Sequence, residues 1–465
     1  MDLQGRTVLV LGLGESGLAM ARWLAREGAH VRVADTRDAP PYADDLRRTV
    51  PAAELVTGAF SEMLLAGVEA VGLSPGLPRA QPFVQTVLAR GLALVSEIEL
   101  FAQALVQLSW RDDTEVMAIT GTNGKTTVTT LAGEMCRAAG VDTVVAGNIG
   151  PAALSALMDR LDRAGKPRAW VLELSSFQLE LTETLNADAA AVLNVTDDHL
   201  DRYDGIGDYA AAKARVFAGG GIQVLNRDDP TVIAMRRPGY RALTFGLDRA
   251  LSADDFGVIE RGGDSWLARG RQLLMPVADL RLTGLHNVAN ALAALALCAA
   301  AGLPMEPLLH ALRAFRGLPH RVERIAEIDG VAFFDDSKGT NVGATLAALS
   351  GLGQKAALIA GGDGKGQDFS PLKAAVERHA KAVILIGRDA PLIEAALAGA
   401  SVPVVRACDM NAAVEHAFAA VRRGEAVLLS PACASFDMFR DYVDRAKVFA
   451  QATRGLARRR RAAAQ

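Results

Sequence analysis

Residues 115–127 read EVMAITGTNGKTT, and this stretch decides the fold class. Glu115–Thr120 is an apolar run of strand length, and an amphipathic helical pattern begins at Lys125. Between them lies a turn of GxxGK[ST] spacing, with Ile119 where the longer GxxxxGK[ST] form has its first glycine. Successive amides of such a turn cradle phosphate oxygens, the lysine reaches the outer phosphates, and the next hydroxyl suits Mg²⁺. Gly121, Thr122, Asn123, Gly124, Lys125, Thr126 and Thr127 are therefore the candidate ATP-phosphate loop. A strand running through a phosphate loop into a helix is the building unit of a parallel α/β sheet.

The same alternation extends in both directions. Strand-like runs at Thr7–Leu11, His30–Ala34, Ala70–Leu73, Trp170–Leu174, Ala190–Val195, Ala357–Ala360, Ala382–Ile386 and Ala426–Leu429 are separated by helical periods. At roughly 150 residues per domain, a chain of 465 residues calls for about three domains. A polar stretch at Gln107–Thr114 and a Gly317–Arg321 turn ahead of a hairpin pattern place boundaries near 104 and 318. The expected fold is α/β in three domains. A Rossmann-like unit covers 1–104, and a central P-loop unit with a parallel sheet covers 105–317. Its residues 240–283 form a small antiparallel appendage, and a second Rossmann-like unit covers 318–465.

The first strand ends in a GxGxxG turn, Gly12 to Gly17, and Asp35 closes the next strand 21 residues after Gly14. That pattern suits a pyrophosphate and a ribose hydroxyl; it fits NAD and a UDP-sugar equally, and a ligand-free tight turn as well. Ser74-Pro75-Gly76 follows another strand and offers further N–H donors. In the central unit, Glu173 ends one strand and the run Asn194–Asp201, with Asp198 and His199, follows the next. Strand carboxyl ends gather ligands in such sheets, which places Glu173 and His199 beside Thr126 as candidate Mg²⁺ ligands. Lys213, in the run Asp208–Lys213, reads equally as a solvated helix residue. Asn287 and Asn290 share one face at the start of an Ala-rich helix, a pattern that N-capping also explains. Three polar loops of the last unit, Asp335–Asn341, Gly361–Gly366 and Ser430–Asp437, again fall at strand ends. Their lysines, Lys338 and Lys365, suggest carboxylate or phosphate recognition.

Composition narrows the class. Half the residues are apolar and 22% are charged, as in globular proteins, and a net charge of −3 without a basic face argues against a nucleic-acid binder. The Arg458–Arg461 run reads as a solvated tail. Four separated cysteines lack metal-ligand spacing, so reduced structural thiols are expected. No signal-peptide pattern or membrane-length apolar run is present, so a cytoplasmic protein is expected. Only nine of the 50 basic residues are lysine, a bias that a GC-rich genome explains without any function.

The motifs GLGESG, SPG, GTNGKTT, GNIG, ELSSFQLE, NVTDDHLDRY, YAAAKAR, HNVAN, GLPHR, DDSKGTN, GGDGKG and SPACASFD together resemble the Mur ligases. These are ATP-dependent amide-bond-forming enzymes of peptidoglycan precursor synthesis, and the likeness runs over essentially the whole chain. It is strongest to the branch that adds D-glutamate to UDP-N-acetylmuramoyl-L-alanine. The Asp-Asn-Pro-Arg motif of the diaminopimelate-adding branch is absent. Asp197 and Phe436 are conservative departures. A sister ligase with another amino acid, and a non-catalytic nucleotide-binding regulator, are the alternatives.

The resemblance implies a role for each motif. Gly14, Glu15, Ser16, Asp35, Thr36, Ser74, Pro75 and Gly76 would bind the UDP part, with Asp35 and Thr36 on the uracil side, and Asn148 the muramoyl part. This displaces NAD. Lys125, Thr126 and Thr127 would bind ATP phosphates with one Mg²⁺. Glu173 and His199 would hold a second Mg²⁺ with Lys213, which CO₂ converts to a carbamate in this family. Asn287, Asn290, Arg321 and Asp336 would contact adenine, γ-phosphate and ribose. Lys338, Thr340, Lys365, Ser435, Phe436 and Tyr442, with Asp198 nearby, would form the D-glutamate pocket. The implied reaction passes through an acyl phosphate, with Asp198 or His199 as candidate base and domain closure about hinges near 104 and 318. The expected enzyme is a monomer without nucleic-acid partners or membrane insertion.

Overall fold

The apolar runs pair into three sheets in a computed structural model that describes residues 3–163, 165–198 and 202–463. The first sheet orders its five parallel strands Glu54–Thr57, His30–Asp35, Thr7–Leu11, Ala70–Leu73, Ala93–Val95. Chain direction across the sheet reverses between Thr7–Leu11 and Ala70–Leu73, so the GxGxxG and Ser74 turns meet at a topological switch point. Gly17 lies where the helix Glu15–Arg26 crosses the turn; a Cβ there would sit 1.9 Å from the Gly12 carbonyl oxygen.

In the central sheet the strand Glu115–Thr120 lies between Ala169–Glu173 and Ala189–Val192, all parallel. Ile119 is in register with Glu173 and Thr120 with Val192, so the phosphate loop, Glu173 and the Asn194–Asp198 segment leave the sheet side by side. The expected strand Ala190–Val195 stops at Val192 because Asn194 turns out to bond the phosphate loop. The antiparallel strands Phe256–Arg261, Asp264–Arg269 and Gln272–Pro276 extend this same nine-stranded sheet at one edge.

The third sheet has six strands, parallel apart from Glu323–Ile328, which pairs antiparallel with Val331–Asp335. Asp329 and Gly330 both have positive φ in the connecting turn, as a two-residue hairpin requires. The last helix, Tyr442–Ala463, carries the terminal arginines, which are exposed as expected, with Arg459 and Arg460 pairing with Glu415 and Asp329 on the surface. The four cysteines are free thiols, and three are buried.

The two joints differ. The helix Glu97–Gln107 runs unbroken through residue 104. One apolar core, including Met20, Phe101, Leu154 and Trp170, spans the first and central sheets' helices, with Phe101 edge-on to Trp170 at 4.9 Å. The third sheet has apolar clusters of its own. No helix of the described residues is long and apolar enough to cross a membrane.

Candidate active site

Glycines shape the phosphate loop. Gly124 has φ +85°, and a Cβ there would lie 2.4 Å from Asn290 Oδ1. The loop is braced by the segment after the neighbouring strand: the Asn123 amide donates to Asn194 Oδ1 at 2.8 Å, and the Thr196 amide to Thr122 Oγ1 at 3.1 Å. Lys125 Nζ folds back to the Gly121 and Thr122 carbonyls, each at 2.8 Å. Burial holds the Lys125 ammonium below its ordinary range, although Glu173 and Asp198 oppose this.

Lys213 is 1% exposed, so the solvated-helix reading fails. Its Nζ donates to the same Gly121 carbonyl at 2.9 Å and stands 4.2 Å from the centre of the Tyr209 ring. Burial, followed by repulsion from Lys125, pushes its proton affinity far below that of an ordinary lysine. Burial of this kind favours the uncharged, nucleophilic form of an amine over its ammonium.

Glu173 is buried, and its Oε1 accepts from Asn148 Nδ2 at 2.8 Å. Its Oε2 is buried and unpartnered. A buried carboxylate oxygen without a hydrogen-bond donor, on the same cavity as the Thr126 hydroxyl, fits a hard divalent cation such as Mg²⁺. His199 lies outside the described residues.

A cavity of about 490 Å³ opens between the central and third units, lined by Lys125, Thr126, Asn148, Glu173 and Asp198 on one side. Arg321, Lys338, Thr340 and Tyr442 face them from the other. Lys338 Nζ lies 3.9 Å from the Tyr442 ring centre, and burial first, then Arg321, brings its pKa down to about 8. Lys365 stands 3.8 Å from Asp198. Ser435 is buried but does not line this cavity. Phe436 is 74% exposed and lines neither this cavity nor its neighbour.

The neighbouring cavity, about 330 Å³, takes in Asn287, Asn290 and Asp336 together with the apolar Phe245, Leu247 and Val322. The helix Leu285–Ala300 is capped by Gly284 without a side-chain bond, so N-capping does not explain the two asparagines. Asn290 Nδ2 instead donates to Asn287 Oδ1, and Asn287 Nδ2 to the Thr283 carbonyl. Burial raises the Asp336 pKa to about 7 despite the Ser430 hydroxyl and Arg321.

A third cavity of about 370 Å³ gathers Gly14, Glu15, Ser16, Asp35, Thr36, Ser74, Pro75 and Gly76 at the first sheet's switch point. Asp35 is not an open acceptor. It receives the Leu13 amide at 2.7 Å, the Arg37 amide at 2.9 Å and both arms of the Arg37 guanidinium. Burial alone would raise its pKa, but these donors, the Arg37 side chain foremost, hold it at about 2. Glu15 faces across to the central unit, accepting the Ala152 amide at 3.0 Å.

Several contributors were not singled out in the sequence. Arg37 and Phe60 complete the third cavity. Arg202 reaches the Pro75 and Leu77 carbonyls and stacks on Phe177 at 3.8 Å. Asn341 Nδ2 bridges Asn123 Oδ1 and Asp198 Oδ2, each at 3.1 Å. Arg445, wholly buried, pins the Ser337 and Cys433 loops. Asn341 and Arg202 lie inside the quoted motifs DDSKGTN and NVTDDHLDRY without a role read for them, Arg37 follows a strand end, and Arg445 sits in a helical run that reads as surface charge.

Three family models match in chain order. They are a Mur ligase MurD-like N-terminal domain over residues 6–96, a Mur ligase middle domain over 119–298 and a Mur ligase glutamate ligase domain over 320–433. The UDP-N-acetylmuramoylalanine–D-glutamate ligase of Nitrosospira multiformis is 57% identical over 98% of this chain and 97% of its own length. The enzyme of the same name from Aromatoleum aromaticum is also 57% identical, over 98% of each chain. Among solved structures, the UDP-N-acetylmuramate–alanine ligase of Thermotoga maritima superposes with a TM-score of 0.61 at 18% identity, covering 97% of this chain and 99% of that one. That likeness concerns the fold. With phosphate loop, buried acidic edge and facing lysines arranged in order across three matching domains, the chain belongs to the Mur ligase family.

Proposed function

We propose that the protein is an ATP-dependent ligase that joins D-glutamate to UDP-N-acetylmuramoyl-L-alanine in cytoplasmic peptidoglycan precursor synthesis. The carrying observation is the 490 Å³ cavity, which sets the phosphate-loop residues Lys125 and Thr126 against Lys338, Thr340 and Tyr442 of the third unit. The names of relatives 57% identical along the chain support the substrate pair.

ATP lies with adenine among Phe245, Leu247 and the two asparagines, and with its phosphates on the Gly121–Thr127 loop. The UDP part fills the first sheet's cavity and the muramoyl part extends past Asn148. The substrate carboxylate attacks the γ-phosphate, and Lys125, Arg321 and Lys338 offset the anionic charge that gathers there. Two Mg²⁺ ions, one at Thr126 and a second held by Glu173, His199 and Lys213, would supply further neutralisation of phosphate charge. Lys213, a buried lysine whose charge is disfavoured by burial and by Lys125, is the residue suited to carbamate formation with CO₂. D-glutamate enters from the third unit, its carboxylates received by Lys338, Lys365 and Thr340. The amine attacks the acyl phosphate carbonyl and phosphate leaves.

The units meet at the segments 108–114 and 315–322. The shared apolar core stiffens the first joint, so closure is concentrated at the second, across which Arg321–Thr126, Asn341–Asn123 and Lys365–Asp198 are polar contacts. We read the enzyme as a monomer. A panel of amino acids at fixed nucleotide substrate tests the specificity: ADP release should follow D-glutamate, and a preference for another amino acid would move the protein to a sister activity.

A further inference from the structure

The GLPHR turn contains a histidine that the reading above does not use. His320 lines the 490 Å³ cavity with Lys338, Thr340 and Tyr442, the proposed amino-acid contacts. Its backbone has φ +63°, uncommon for a residue with a side chain, and Val322, two residues on, is also left-handed at +50°. Three bonds hold that conformation. The His320 amide donates to Glu323 Oε2 at 2.9 Å, the Lys338 amide donates to the His320 carbonyl at 3.2 Å, and the ring Nδ1 lies 2.7 Å from Asp335 Oδ2. Asp335 is itself buried and also receives the Ser337 amide at 2.9 Å. Fixing Nδ1 as the donor to a buried carboxylate leaves Nε2 as the acceptor. The ring is 23% exposed and packs edge-on to Tyr442, with centres 6.2 Å apart.

From this geometry, and resting on the ligase reading above, we infer that His320, held by Asp335, is the catalytic residue that takes the proton from the incoming amine. The other candidate among the described residues, Asp198, is engaged by Asn341 at 3.1 Å and faces Lys365 at 3.8 Å. The charged and titratable groups that flank His320, bond it or share its cavity are Lys125, Glu173, Asp198, Arg321, Glu323, Asp335, Lys338 and Tyr442. His320 Nε2 accepts one proton from the D-glutamate ammonium. The freed lone pair forms the C–N bond at the acyl phosphate carbonyl, and the C–O bond to phosphate breaks with its electron pair on the leaving oxygen. The second nitrogen proton leaves with phosphate, and His320 returns its own to solvent through the exposed ring edge.

His320→Asn tests this, because asparagine tolerates the left-handed backbone and can donate to Asp335 but is no base at neutral pH. Two acceptors are compared: D-glutamate, and hydroxylamine, which is already unprotonated at neutral pH. The expected result is a loss of about 100-fold or more in D-glutamate transfer at pH 7. That loss should shrink roughly tenfold per pH unit as D-glutamate deprotonates by itself. Hydroxamate formation should stay within about threefold of wild type, since phosphoryl transfer is untouched. Asp335→Asn should give the same pattern in milder form and serves if the first variant does not fold. Equal losses with both acceptors, or wild-type transfer to D-glutamate at pH 7, would overturn the assignment. Wild-type protein that releases no ADP with either acceptor would instead overturn the ligase reading.

Discussion

Arg321 Nη2 donates to the Thr126 hydroxyl at 2.8 Å, so a residue of the third unit holds the hydroxyl that opens the phosphate-loop helix. Burial disfavours the charge on this guanidinium, while Glu173 and Asp336 favour it. The bond ties closure of the third unit to the loop on which γ-phosphate charge develops.

Arg321→Ala is accordingly expected to lower kcat by about 10²–10³-fold, the usual loss of one preorganised donor at a developing charge. Arg321→Lys should recover little, because a single ammonium cannot reproduce the guanidinium fork. Steady-state kinetics with ATP varied checks this; a lysine variant near wild type would reduce the interaction to simple charge.

Lys213 shares the Gly121 carbonyl with Lys125. Lys213→Ala should lose about 10³-fold in rate, with partial recovery when a small carboxylate is added. Bicarbonate-depleted buffer should likewise slow the wild type. Retention of full activity by the alanine variant would remove the carbamate from the account.

Gly17→Ala is a stability prediction. The added Cβ meets the Gly12 carbonyl oxygen at 1.9 Å, and backbone cannot swing aside as a side chain would. A cost of about 1–3 kcal/mol follows from overpacking. It should appear as a lower urea midpoint with unchanged slope and a weaker affinity for the nucleotide substrate.

Glu97 gives the pH prediction. Its Oε1 accepts the Leu154 amide at 2.6 Å while Oε2 is buried without a partner. Burial first, then repulsion from Glu15, raises its pKa to about 7, against the pull of the Leu154 amide. The folded state therefore binds this proton more tightly than the unfolded chain. The stabilisation is complete below the unfolded carboxyl pKa and is lost as pH rises through about 7. Glu97→Gln keeps an acceptor for the Leu154 amide and cannot ionise. It should gain on wild type by up to about 3 kcal/mol between pH 5 and 8. Parallel stability profiles for the two proteins would contradict that.

Much of this was legible in sequence because backbone chemistry marks its own position. The phosphate loop needs glycines at fixed spacing, and strand Glu115–Thr120 forms over the expected residues. The hairpin at Asp329-Gly330 announces itself for the same reason. Side chains that act across units are silent. Arg202 and Asn341 join loops more than 120 and 140 residues apart, respectively; they lie inside the motifs NVTDDHLDRY and DDSKGTN, but nothing local names the distant loop that each meets. Asp35 shows the opposite error: its spacing suggested an open acceptor, but Arg37, two residues on, occupies it. The lysine bias acquires a meaning from the structure. Lys125, Lys213, Lys338 and Lys365, four of nine lysines in an arginine-rich chain, stand at the proposed reaction site, where a compact ammonium or a modifiable amine serves and a guanidinium does not.

The most direct measurement incubates the purified protein with ATP, Mg²⁺, UDP-N-acetylmuramoyl-L-alanine and D-glutamate, and follows ADP and the nucleotide product by mass. The account predicts one ADP and one phosphate released for each nucleotide that gains a glutamyl residue, with no sustained turnover when either substrate is left out. ADP release independent of D-glutamate, or no release with all components present, would contradict it.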